Sequence, residues 1–184
     1  MVALLVFSSP GETLYRGTPR RLAVGNTWRV AQQLATRLGV APTPIEPVTA
    51  YPLAYADLLR RAQGEQRRQA LPALHPLPAV VVAEPVWFLG FPLWFGEVPR
   101  PVMTLLQQVA TEQRTVYPFV THEGGGLGRT QAQLQAALPH AEIRPGLPVR
   151  GSRADRAGCA VDHWLMQYQQ DLVKEGVFKN DRTK

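Results

Sequence analysis

The chain reads as an α/β protein built on a parallel sheet, and three observations predict it. Short apolar runs at residues 2–7, 86–91 and 115–120 have the continuous character of strands buried on both faces. Between them lie stretches with apolar residues at helical spacing, and such alternation implies parallel strands joined by right-handed crossovers. Each of the three runs ends in a loop rich in glycine, hydroxyl or aromatic side chains, at the strand ends where open α/β sheets bind ligands.

Each element follows in order from its residues. Residues 2–7, Val2-Ala3-Leu4-Leu5-Val6-Phe7, form the first strand. Residues 8–24 contain Pro10, Gly11, Gly17 and Pro19 and read as a loop. From Thr27 a helix begins, with Val30, Ala31, Leu34, Ala35 and Leu38 on one face and Gly39 as its stop. Residues 41–48 are a weaker strand whose prolines place it near an edge. A polar helix follows at residues 55–70, then a proline-rich connection at 71–78. Residues 80–83 have strand composition, but the run at 86–91, beyond Pro85, is the better central strand. Residues 98–108 read as a helix with Val102, Leu105, Leu106 and Val109 on one face. Residues 115–120 give a fourth strand, 129–138 a helix ending at Pro139, and 142–149 a fifth strand. The last helix covers 155–173, with Val161, Trp164, Leu165, Tyr168 and Leu172 on its apolar side, and 174–184 is a polar tail. No repeat or linker divides the chain, so residues 1–184 are expected to fold as one domain.

Composition narrows the function. With 184 residues, 45% hydrophobic and 18% charged, the chain has the make-up of a globular protein with a full core. No apolar run approaches the ~20 residues of a membrane span, and residues 2–7 lack the basic flank of a secretory signal. A cytoplasmic location is the default expectation. Cys159 is the single cysteine, which excludes an intramolecular disulfide, a cysteine metal cluster and an iron–sulfur centre. Its neighbours Ala157, Gly158 and Ala160 suggest a small packed residue. The net charge of +6 comes mainly from arginines. They are scattered in pairs such as Arg20-Arg21, Arg60-Arg61 and Arg67-Arg68, without interleaved aromatics. A solvated basic surface fits better than a nucleic-acid interface.

Three loops carry the chemistry. The first opens as Ser8-Ser9-Pro10-Gly11 and closes as Gly25-Asn26-Thr27 at a helix start, where unpaired amides and the helix dipole favour an anion. An ordinary helix cap explains that tripeptide alone as well. No glycine–lysine phosphate loop is present, so a monophosphate held by hydroxyls and amides is the suited ligand. The second loop, Pro92-Leu93-Trp94-Phe95-Gly96, follows the central strand. Its rings could be core, yet Pro92 and Gly96 suggest a loop that displays them. In the third, Thr121-His122-Glu123-Gly124-Gly125-Gly126-Leu127-Gly128, the glycines let backbone approach a flat ligand. His122 and Glu123 could form a proton-handling pair, although loop polar groups more commonly bond to backbone. Taken together, the loops suit a phosphate joined to a flat ring.

At these residues the chain resembles flavodoxin-like FMN-binding proteins, over most of its length. Ser8 and Gly25-Asn26-Thr27 match the family's phosphate loop, and Pro92-Leu93-Trp94-Phe95-Gly96 matches its Pro-Ile-Trp-Trp-Gly loop. The Thr121 to Gly128 stretch matches the third loop. Ile45-Glu46-Pro47, Tyr51-Pro52 and Leu147-Pro148-Val149-Arg150-Gly151 resemble one bacterial subgroup with a long first loop that includes a pair like Gly11-Glu12. The resemblance implies a three-layer sandwich with a five-stranded parallel sheet of order 2-1-3-4-5 and helices on both faces. It implies FMN at the switch between the first and third strands, an outcome that flavodoxin itself exemplifies. Ser8, Gly25, Asn26 and Thr27 would hold the phosphate. Pro92, Leu93, Trp94, Phe95 and Gly96 would flank the ring, and Thr121, His122, Glu123, Gly124, Gly125, Gly126 and Gly128 would border its other side. No residue need be catalytic, because FMN carries the chemistry, and no metal is expected. The expected function is an FMN-dependent reductase using NAD(P)H and a quinone-like acceptor. The alternatives are an electron carrier serving a protein partner and, more remotely, a binding module without redox activity. The basic surface departs from the acidic surface typical of electron-shuttling flavodoxins. The long excursion at residues 9–24 is expected to fold over or beside the cofactor, and which of Ser9 to Thr13 meets phosphate stays open.

Overall fold

The apolar run that opens the chain sends alternate side chains to opposite sides of a sheet, and this sets the layering. The computed structural model describes residues 1–15, 17–109 and 113–174. β1 (Val2–Val6) leads into a hairpin of β2 (Gly11–Tyr15) and β3 (Thr18–Leu22), then α1 (Asn26–Leu38), β4 (Pro42–Pro44), α2 (Tyr55–Arg67) and the short α3 (Ala79–Val82). β5 (Val86–Pro92), α4 (Arg100–Gln108), β6 (Thr115–His122) and α5 (Thr130–Ala137) follow. β7 (Glu142–Ile143), β8 (Leu147–Arg150), a 3-10 helix (Gly151–Arg156) and α6 (Gly158–Lys174) complete the order.

The main sheet runs β4-β1-β5-β6, with β7 and β8 both paired to β6, and every pairing in it is parallel. This is the expected 2-1-3-4-5 order with its fifth position divided between two short strands. Ala3, Leu5, Trp87, Leu89, Phe91, Val116 and Val120 pack on one side with Val102, Leu105 and Leu106 of α4 and Leu134 of α5. Leu4, Val6, Phe88, Tyr117 and Phe119 pack on the other with Val30, Ala31 and Leu34 of α1 and Val161, Trp164 and Leu165 of α6. Gly90 in β5 leaves room for the ring of Phe119, since a Cβ there would lie 2.1 Å from the ring.

Several local expectations change. The excursion at residues 9–24 is not loop throughout: β2 and β3 pair antiparallel, Gly11 opposite Leu22 through Tyr15 opposite Thr18. Residues 79–82 form a helical turn, because the Pro78 carbonyl accepts the amides of Val81 and Val82. The weak second strand shortens to Pro42–Pro44, because after Ile45 the chain leaves the sheet and residues 46–48 pair with residues 73–75. The fifth strand breaks at Pro145 and Gly146, where the Trp164 indole N–H donates to the Pro145 carbonyl. The last helix starts at Gly158 instead of 155, after the 3-10 turn. Cys159 is exposed rather than packed, because it sits on the side of α6 opposite Val161. Of the predicted polar tail, residues 175–184 lie outside the described residues. No helix among the described residues is long and apolar enough to cross a membrane.

Candidate functional site

β1, β5 and β6 run parallel, so their carboxyl ends open onto one edge of the sheet, and a cleft of about 240 Å³ lies there. At its first end stands the start of α1. Gly25 precedes the helix and offers no capping side chain, so the Trp28 amide donates to Ser8 Oγ at 3.2 Å instead. A Cβ on Gly25 would lie 2.3 Å from that same oxygen, which makes glycine obligatory for this arrangement. The amides of Asn26 and Thr27 have no acceptor among the described residues, as expected for the opening positions of a helix. Thr27 is buried, and its hydroxyl pairs with that of Thr121 at 2.7 Å, which ties the helix start to the end of β6.

The second loop turns sharply. Trp94 and Glu97 exchange backbone hydrogen bonds of 3.2 and 2.9 Å around Phe95 and Gly96, both at positive φ. A left-handed aromatic residue is uncommon, and here it lifts Phe95 out of the core to 42% exposure. Trp94 turns inward, edge-on to Phe7 at 5.2 Å and to Tyr51 at 4.9 Å. Beneath it the Tyr51 hydroxyl donates to the buried Glu65 carboxylate, which also receives Arg61 Nε at 2.8 Å. Burial and this hydrogen bond push the Tyr51 phenol well above its ordinary range.

The third loop packs on the second. The Arg129 amide donates to the Gly96 carbonyl at 2.8 Å, and a Cβ on Gly128 would lie 2.4 Å from that oxygen. A Cβ on Gly125 would meet Leu93 Cδ2 at 2.7 Å. His122 and Glu123 both bond to backbone: His122 Nδ1 accepts the Gly124 amide at 3.0 Å, and Glu123 Oε1 accepts the Ser152 amide at 2.8 Å. Burial, then the positive charge of Arg150, lowers the proton affinity of His122 below its ordinary value, against the opposing pull of Glu123. Gly151 brings the two ends together, since a Cβ on it would lie 2.5 Å from Asn26 Nδ2 and 2.6 Å from Glu123 Oε1.

The structure thus gathers the three predicted loops around one cleft. Asn26, Thr27, Pro92, Leu93, Trp94, Phe95, Thr121, His122 and Glu123 line it. Ser8, Gly25, Gly96, Gly124, Gly125, Gly126 and Gly128 are not among its lining; Ser8 and Gly25 set the helix start, and Gly96, Gly125 and Gly128 hold the second and third loops together. Sequence reasoning missed the remaining wall: Leu14 and Leu22 of the hairpin, Tyr55, Leu58 and Leu59 of α2, and Gly151. Ser9, Glu12 and Thr13, left open in the first loop, also line the cleft. Gly17 between two short runs with β-forming residues was the available signal for the hairpin.

No group of three or more metal-ligating side chains occurs among the described residues. The flavodoxin family model matches residues 21–167. No curated protein matches the chain. Among solved structures the chain is similar to a protein from Bacteroides eggerthii classed as a flavoprotein, with 22% identity, a TM-score of 0.71 and coverage of 90% of this chain and 96% of that one. It is also similar to a Lactobacillus acidophilus flavoprotein solved in complex with FMN, at 14% identity and a TM-score of 0.60, covering 84% of this chain and 96% of that one. Those likenesses fall below a quarter identity and speak for the fold, whereas the family match takes in the second and third loops and the Gly25-Asn26-Thr27 close of the first. The chain belongs to the flavodoxin family.

Proposed function

We propose that the cleft binds FMN and that the protein is an NAD(P)H-dependent reductase of quinones or similar flat acceptors. The observation that carries this reading is the junction of the helix start at Asn26 and Thr27, whose amides have no acceptor among the described residues, with the aromatic wall of Trp94 and Phe95 in one cleft. The donor set fits the group. Free amides beside Ser9 and Asn26 suit a phosphate dianion, and the apolar wall suits a ring. The cleft lies at the rim formed by the strand ends, with Phe95 exposed at its lip, so in this reading the bound ring keeps an edge in solvent. An accessible edge is what exchange of electrons with a second molecule requires.

In this reading Asn26 and Thr27 hold the phosphate, and Gly25 lets Ser8 and Ser9 approach the helix start. Trp94, braced by Phe7 and Tyr51, keeps water from one face of the ring. The amides of Gly125 and Gly126, which have no acceptor among the described residues, are the donors for a ring edge, because the Gly124 amide is already taken by His122. FMN, when bound, supplies hydride and electron transfer, and the protein supplies position and electrostatics. The net charge of +6 draws in anionic pyridine nucleotides. Exposed Phe95 at the lip of the cleft supports a second reading, an electron carrier that docks a protein partner there.

The test is the visible spectrum of the purified, FMN-reconstituted protein, followed by anaerobic NADH and NADPH with a quinone. Flavin absorbance that bleaches with a nucleotide and recovers with the quinone is expected. A bound flavin that neither nucleotide bleaches favours the carrier, and a protein that retains no flavin sinks both readings.

A further inference from the structure

The three loops leave one wall of the cleft unexplained, and that wall is the hairpin. Among the described residues β2 and β3 pair only with each other, as a separate two-stranded sheet. An isolated ribbon of this size is marginal in water, so its position needs outside support. The support comes from the turn before α2. The Glu12 amide donates to the Leu53 carbonyl at 2.7 Å, and the Tyr55 amide donates to Glu12 Oε2 at 3.0 Å. Gly11, at φ +106°, makes the close approach possible, for a Cβ there would lie 2.6 Å from the Leu53 oxygen. The N-cap residue of α2, Ala54, brings no side-chain acceptor of its own, so the Glu12 carboxylate does that work from 43 residues away, with the sign the helix dipole favours.

This latch has a consequence for the cleft. Thr13, Leu14 and Leu22 of the hairpin are brought to the same cavity as Tyr55, Leu58 and Leu59 of α2, and to Trp94 of the second loop. Apolar side chains facing an open cleft gain free energy when a flat ring covers them. We infer that the hairpin and the first two turns of α2 form a further binding wall against the aromatic ring of the ligand, and that Glu12 is the positioning residue holding this wall in place. The inference rests on the FMN reading for the identity of the ring, while the latch rests on contacts within the chain alone. It extends ring contact to the hairpin within the long first excursion and to α2, which carries no loop motif.

The test uses the full chain with Glu12→Ala and Glu12→Gln, and two readouts. In the ligand-free protein, amide hydrogen exchange over residues 11–22 rises in both variants, while exchange in β1 and β5 stays as in the parent. In the FMN-loaded protein, the rate of FMN release after dilution, followed by flavin fluorescence, rises roughly tenfold in Glu12→Ala, the loss expected for one hydrogen bond to a charged group. Unchanged exchange in the hairpin overturns Glu12 as the latch. Raised exchange with an unchanged release rate overturns the wall while leaving the latch. A parent protein that takes up no FMN overturns the cofactor reading and the wall with it, and the exchange result still decides the latch.

Discussion

The hydroxyl pair of Thr27 and Thr121 shows how much one buried contact organises. It joins the first turn of α1 to the end of β6, residues 94 apart in sequence, at 1% and 4% exposure. Replacing either by valine leaves a buried hydroxyl unpaired, which costs about 1–3 kcal/mol, whereas replacing both removes the demand and is close to neutral. Urea unfolding of Thr27→Val, Thr121→Val and the double variant checks this; additive losses would mean that the two hydroxyls have other partners. His122 gives the pH dependence at the same scale. Its folded proton affinity is lowered by burial and by Arg150, so the folded state binds that proton more weakly than the unfolded chain. Stability therefore rises with pH through the ordinary histidine range and falls below it, as the unfolded chain gains the proton first. An NMR titration of the His122 ring should give a midpoint below 6.5, and a midpoint above 6.5 refutes the argument.

Elements differ in how far the sequence foretold them, and the difference has physical causes. β1, β5 and β6 were legible because a strand buried on both faces must be apolar at every position, and α1 because Val30, Ala31 and Leu34 repeat at its period. The hairpin was not, since its stability lies in contacts with Leu53 and Tyr55, far along the chain, and the exposed residues Thr18 to Arg21 of β3 carry no hydrophobic alternation. The divided fifth strand was hidden for a similar reason: Pro145 and Gly146 break it, but Trp164 of α6 anchors the break. The three loops were legible as motifs, while the α2 wall of the cleft was not, because Tyr55, Leu58 and Leu59 look like any helix residues. α2 carries a buried charge, Glu65, which is 7% exposed and binds both Tyr51 and Arg61. Glu65→Leu leaves the Tyr51 phenol without its acceptor and takes the carboxylate from Arg61, which keeps the Ala50 and Thr49 carbonyls. The expected loss is about 2–3 kcal/mol, less than for a fully buried pair because Arg61 keeps 24% exposure. Thermal unfolding of the ligand-free variant measures it, and an unchanged midpoint would show that water replaces the carboxylate without loss.

At the scale of the whole molecule the sheet works as a frame, with the cleft at one edge of it and cores on both faces. A ligand that enters this cleft binds the folded chain and not the unfolded one, so saturating FMN at a hundredfold excess over Kd adds about 2.7 kcal/mol. Calorimetric unfolding with and without FMN reads this as an upward shift of several degrees, and an unmoved transition speaks against FMN in the cleft. The frame also has margins, and their chemistry bears on a different problem. One lateral margin is β4, where Pro42 and Pro44 supply two of three residues. The prolines have no N–H with which a passing chain could extend the sheet. A neighbouring molecule therefore meets a template too short and too poor in donors for intermolecular strand pairing. The prolines that stand in this short edge strand thus guard concentrated solutions of this basic protein against aggregation through that margin.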